Sequence, residues 1–247
     1  MSPEMRSRIR RVSLAAVLAC AVCSCAGSGP FRREYEYEEE LYLALDGAAT
    51  LNVNASIASL VALRGAEFDA NPRARIDRAQ LRTFFTGPGA RTSVSLWRRG
   101  GRRFVHATVD VDDVRSLSRI AAFTWSEYEL TQRGDALEFR QTVGPPSRNK
   151  PAGASWTGDE VVAFRMHLPS EIQFHNAPTG QVQRGNILEW EQPLADRLAG
   201  TPVDMRVRLG ETSILANTLL LFGSTAAAAL VTLAAVVWWI SRRGRDG

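Results

Sequence analysis

No charged residue occurs between Ile214 and Ser241, and the 22 residues from Leu219 to Ile240 form a near-continuous apolar run. At ~1.5 Å of rise per residue, a helix of that length is roughly 33 Å long, matching a ~30 Å hydrocarbon core. The competing reading, a core helix of a soluble domain, seldom stays apolar for so long. Trp238 and Trp239 stand where an interfacial aromatic belt belongs, and Ser-Arg-Arg-Gly-Arg follows at once. By the positive-inside rule the C-terminus is then cytoplasmic and the bulk of the chain extracytoplasmic, with the helix in the cytoplasmic membrane. The chain therefore divides into a leader (1–24), a tether (25–33), a domain (34–211), a membrane helix (214–241) and a short tail (242–247).

The other end agrees with this topology. Arg6 to Arg11 form a basic region, Val12 to Val22 an apolar stretch, and small residues lead to Cys25. That is the layout of an export signal, and the stretch is short for a bilayer span. Val22-Cys23-Ser24-Cys25 resembles the bacterial lipobox, which implies diacylglyceryl transfer to Cys25 and cleavage before it. Cys20 is a competing acceptor, and an ordinary signal peptide with incidental cysteines is the plainer alternative. All three cysteines lie in this segment, so the domain has no disulfide and no thiol-based metal site.

A formal net charge of +4 suggests a nucleic-acid partner until the charges are located. The first 25 residues sum to +3 and the tail after Ile240 to +2, which leaves −1 for everything between. Basicity belongs to the ends, where it sets membrane orientation, and a nucleic-acid partner is not expected.

Period-two alternation opens the domain. Tyr35, Tyr37, Leu41, Leu43 and Leu45 share one strand face, with Glu34, Glu36, Glu38 and Glu40 on the other. Asp46-Gly47 turns the chain into a second strand with Leu51 and Val53. Ser56 can cap a helix presenting Ile57, Leu60 and Val61 and closed by Gly65, and a second helix shows Leu81, Phe84 and Phe85. A hairpin around Gly100-Gly101 and a third helix capped by Asp112 come next. Another hairpin turns at Gly134-Asp135, followed by a polar loop over 144–158. Further strands carry Val162 to Leu168, Leu188 with Trp190, and Val203 to Leu209. These elements predict an α+β domain: a mostly antiparallel twisted sheet with two or three helices on one face, plus the C-terminal transmembrane helix.

His167-Leu168-Pro169-Ser170-Glu171-Ile172, Asn176-Ala177 and Gly185-Asn186-Ile187-Leu188-Glu189-Trp190 resemble the end of an LppM-type domain, found in bacterial envelope lipoproteins. The resemblance covers roughly residues 160–240 and the lipobox, with Ser170 and Ala177 where glycine is usual in that family. It implies an α+β extracytoplasmic domain that binds lipids or envelope partners, and it supplies no catalytic residue.

No catalytic residue, metal ligand set or cofactor motif emerges otherwise. His106 and His167 alternate with apolar residues on strands, and His175 stands near a turn; none has a partner at ligand spacing. Glu38-Glu39-Glu40 reads as a solvated strand face and Asp112-Asp113 as a helix cap, not as calcium ligands. Gly-x-Ser-x-Gly, P-loop and dinucleotide fingerprints are absent. Three classes of function remain: a non-enzymatic binding module for a lipid or hydrophobic envelope ligand, an assembly partner of other envelope proteins, and an unrecognised hydrolase or transferase. For the first, Ile57, Leu60, Val61, Leu81, Phe84 and Phe85 could form one wall of an apolar groove, and Val162, Phe164, Met166 and Leu168 the other. An ordinary close-packed core uses the same residues. Gly223 and Ala227 have the small-xxx-small spacing of a membrane-helix dimer.

Overall fold

The computed structural model describes residues 34–154 and 156–243. Cys20 and Cys25, and with them the leader and tether, lie outside the described residues.

Strand β1 (Glu34–Leu43) pairs antiparallel with β2 (Ala49–Ser56) across the expected turn, with Leu41 opposite Leu51. Gly47 takes φ +90°, and Asp46 Oδ1 accepts from the Ala48 amide at 3.0 Å. Strands β3 (Arg91–Arg99) and β4 (Arg102–Val111) close around Gly100 and Gly101, both at positive φ, where a side chain would be strained. Together with β7 (Glu160–His167) and β9 (Ile187–Pro193) they make a six-stranded sheet in the order β3-β4-β2-β1-β7-β9.

The fold is α+β as expected, but its strands form two sheets. Strands β5 (Ser126–Arg133), β6 (Ala136–Val143), β8 (Ser170–His175) and β10 (Val203–Ser213) build a separate four-stranded sheet in the order β5-β6-β10-β8. Two short 3-10 turns, Val114–Arg119 and Ala121–Phe123, carry the chain from one sheet to the other where a third helix was expected. The cap of the first turn is Asp113, which accepts from the Arg115 amide, and not Asp112. The second crossing is at Leu168-Pro169: proline has no amide to continue the β7 ladder, so the chain leaves and pairs with β10 as β8.

Helix α1 (Ile57–Arg64) starts where Ser56 Oγ accepts from the Ser59 amide at 2.9 Å and stops at Gly65, φ +68°. Every residue from Ile57 to Leu63 is buried, so this helix lies inside the core rather than on one face of it. Helix α2 (Arg78–Phe85), capped by Asp77, buries only Leu81 and Phe85. Helix α3 (Leu194–Leu198) is short. Leu60 of α1, Leu51 and Val105 of the larger sheet, and Phe139 and Val207 of the smaller one belong to a single core.

That core occupies the place of the expected groove. Ile57, Leu60, Val61, Leu81, Phe85, Val162, Phe164, Met166 and Leu168 are all buried, the most open at 7% exposure, and Phe84 packs part-buried against them. Groove walls would be reached by solvent. These side chains meet other side chains instead, which corrects the groove reading to close packing.

Helix α4 (Ile214–Arg243) continues β10 without a break, and within it Thr218–Trp239 is 22 residues long with mean hydropathy 2.2 and no buried share. It is long and apolar enough to cross a membrane. The strand registers put its start at one end of the folded part. Ser213 pairs with Ser170, which follows β7, and the His167 ring at the end of β7 stacks on Tyr42 at 3.9 Å, close to the Asp46-Gly47 turn. The opposite end gathers the start of β1, the β3–β4 turn and the start of β7, joined by Arg102 Nη1 at 2.5 Å from Glu36 Oε1 and 3.7 Å from Glu160 Oε1. A ten-residue β1 separates the two ends by about 33 Å.

Candidate functional site

The acidic run in β1 divides among three environments. Glu38 and Glu40 face outward with Glu189 and Glu191 around Arg165, whose Nε lies 2.6 Å from Glu189 Oε1 and whose Nη1 pairs with Glu38. Glu36 is buried, accepts from Trp156 Nε1 at 3.0 Å and pairs with Arg102; burial pushes its carboxyl above the usual range despite both partners. Glu39 corrects the reading of a solvated strand face. It shares the core side of β1 with Tyr37 and Leu41, only 2% exposed.

Around Glu39 lies a buried polar cluster. Its Oε2 accepts from Arg64 Nη2 at 2.8 Å and Tyr37 Oη at 2.6 Å, and its Oε1 from Gln141 Nε2 at 2.7 Å and Tyr128 Oη at 3.3 Å. The Arg64 guanidinium stacks on Trp125, 3.3 Å from the ring centroid, with that of Arg197 4.9 Å from the same centroid. Burial and the neighbouring Arg64 charge hold Arg197 down to about 10. Both side chains are sealed from solvent, and the cluster locks the core.

The histidines serve structure. His106 Nδ1 lies 2.8 Å from Asn54 Oδ1, His167 stacks on Tyr42 and burial lowers its pKa, and His175 Nδ1 accepts from the Ala177 amide at 3.3 Å. No group of three His, Cys, Asp or Glu residues is placed to hold a metal ion among the described residues. On α4, a Cβ at Gly223 would meet nothing within 4 Å, and Ala227 is likewise exposed.

A different arrangement stands at the end of the molecule away from α4. Arg75, Arg78, Arg98 and Arg103 line a cavity of about 540 Å³, with Ile76, Leu96 and Trp97 as its apolar wall and no carboxylate in the lining. It opens onto a second, solvent-facing hollow of about 550 Å³ over the 75–78 segment, which shares Arg75, Ile76 and Arg78 with it. Arg103 builds the site: its Nη2 donates to the carbonyls of Asp69 and Asn71, both at 2.7 Å, and its Nη1 to that of Ala74. It thereby ties the 69–74 loop, which delivers Arg75 and Arg78, to the β3–β4 hairpin, which delivers Arg98. Burial and the Arg98 charge lower the Arg103 pKa. Trp97 is 39% exposed and backed by Phe104, ring centroids 4.9 Å apart.

The pairing pattern distinguishes these arginines. Arg140 and Arg206 share Asp204, Arg133 and Arg208 share Glu138, and Arg115 grips Asp113. Arg75, Arg78 and Arg98 have no ion-pair partner among the described residues. Summing charge over the whole domain hides this segregation. Arg98 and Arg103, flanking Gly100-Gly101, are the part of it that lies together in the sequence, and Arg75 and Arg78 join them only in the fold.

No family model matches the chain, and no curated protein matches it. Among solved structures, the NMR structure of the folded domain of LppM from Mycobacterium tuberculosis is similar over 76% of this chain and 98% of that one, at 12% identity and a TM-score of 0.40. This is a weak structural similarity, and it carries no statement about what the chain binds.

Proposed function

We propose that this protein is a non-enzymatic, membrane-anchored module that takes an anionic ligand in its arginine cavity. One observation carries the reading: four guanidinium groups line one cavity with no carboxylate among them. Guanidinium forks match phosphate and carboxylate oxygens in pairs, so an anion restores the charge balance that other arginines on this chain obtain from Asp or Glu. The apolar wall gives the site affinity for the uncharged part of an amphiphilic ligand, such as a phosphorylated lipid or an acidic envelope glycan.

In this reading α4 spans the cytoplasmic membrane with Arg242 and Arg243 inside, and the domain stands on the extracytoplasmic side. Cys25 is the lipid acceptor, and mass spectrometry of the N-terminal peptide that returns an unmodified Cys25 would remove that part. The cavity is tested by calorimetric titration of pyrophosphate into the full chain held in phosphatidylcholine nanodiscs. Wild type should bind, and Arg75→Ala/Arg98→Ala should lose binding with an unchanged melting temperature. A wild type that binds no pyrophosphate ends the proposal.

A further inference from the structure

We infer that the natural ligand is a linear polyanion with repeating charges, bound along the Arg98–Arg103–Arg75–Arg78 surface, rather than a single phosphate or carboxylate; this rests on the anion-binding reading above. A single phosphate is satisfied by one or two guanidinium forks. Here four arginines line one cavity, and Arg75 and Arg78 line a second cavity beyond it. Positive charge thus continues past the space that one anionic group would fill. Asp77, the one carboxylate lining the second cavity, caps α2 through the Ala79 amide at 2.8 Å, and Arg75 and Arg78 beside it leave that lining net positive. Trp97 adds an exposed aromatic face at the edge strand, suited to packing on the apolar C–H face of a sugar ring between charges.

Counterion release separates a polymer from a single group. A chain that neutralises Arg75, Arg78 and Arg98 should bind with a log–log salt slope of about −3, whereas a single charge contact gives a slope of about −1. The experiment uses the full chain in phosphatidylcholine nanodiscs, with long-chain inorganic polyphosphate, pyrophosphate and orthophosphate as probes. A parallel set of nanodiscs contains phosphatidic acid. The expected result is polyphosphate binding at least 100-fold tighter than orthophosphate, with the slope of about −3. Arg75→Ala and Arg98→Ala should each reduce that slope by about one while leaving the melting temperature in place.

Orthophosphate binding within a few-fold of the polymer, or a polymer slope near −1, would overturn the inference and leave the anion-binding reading standing. Phosphatidic acid that blocks the site at one lipid per chain would also overturn it, by assigning the cavity to a headgroup. Failure of every probe to bind would remove both readings together.

Discussion

Replacing Glu39 by glutamine should be among the most damaging changes of similar size in this domain. The carboxylate stands 2.8 Å from the Arg64 guanidinium, with the two side chains 2% and 1% exposed. At an effective dielectric of ~20 their attraction is roughly 6 kcal/mol, much of it offset by the cost of desolvating both ions. Glutamine removes the attraction and leaves the desolvation cost of Arg64 uncompensated, with Arg197 beside the same tryptophan ring. Breaking one side of a buried pair costs about 3–5 kcal/mol, equivalent to a fall in melting temperature of about 6–20 °C at ~2–4 °C per kcal/mol for a domain of this size. Thermal unfolding of the full chain in nanodiscs, followed by tryptophan fluorescence, measures it. Glu39→Gln/Arg64→Met should recover part of the loss, because it removes the orphaned charge as well. A fall of under ~2 °C for Glu39→Gln, or a double variant less stable than the two single losses added together, would refute the reasoning.

Three further outcomes follow from other sites. Gly144→Ala would place a Cβ 2.8 Å from the Trp125 carbonyl oxygen, a backbone atom that cannot swing aside, and should cost about 1–3 kcal/mol in the same assay. Arg103→Met should remove charge-assisted hydrogen bonds worth on the order of 3 kcal/mol in all; hydrogen exchange should quicken over residues 69–76 and stay slow in α1. The buried carboxyl of Glu36 titrates above its ordinary 4.5 in the fold, so the folded state takes up its proton first. Stability should therefore rise as pH falls from neutrality through that folded value, and Glu36→Gln should flatten the rise. At still lower pH the sign reverses, because Arg140 and Arg206 hold Asp204 below its ordinary 3.8 and its contribution is lost as it protonates.

Local chemistry made the hairpins readable from the sequence. Asp46-Gly47, Gly100-Gly101 and Gly134-Asp135 each supply the backbone freedom that a tight turn requires, and Ser56 with Gly65 brackets α1. The inward position of Glu39 was also encoded, since alternation places it between Tyr37 and Leu41. A run of three glutamates overrode that parity because the compensating Arg64 lies 25 residues away. The division into two sheets depended on where Pro169 breaks a ladder, and β8 has no alternation of its own to announce it. The arginine cavity escaped for a third reason. Its residues come from the 69–78 segment and the β3–β4 hairpin, and only folding brings their charges together.

Entry and exit of the chain at opposite ends of the strands have a mechanical consequence. Tension between residue 35 and α4 would enter β1 at its first residues and β10 at its last. Strand β1 is hydrogen-bonded to β2 and β7, and β10 to β6 and β8, so each loaded strand is gripped on both sides. Sliding either strand out requires many hydrogen bonds to yield together, whereas a strand peeled from an edge gives them up one at a time. A domain threaded this way resists pulling between its ends as a shear-loaded joint, and the weakly gripped edges β3, β9, β5 and β8 lie off the line of force.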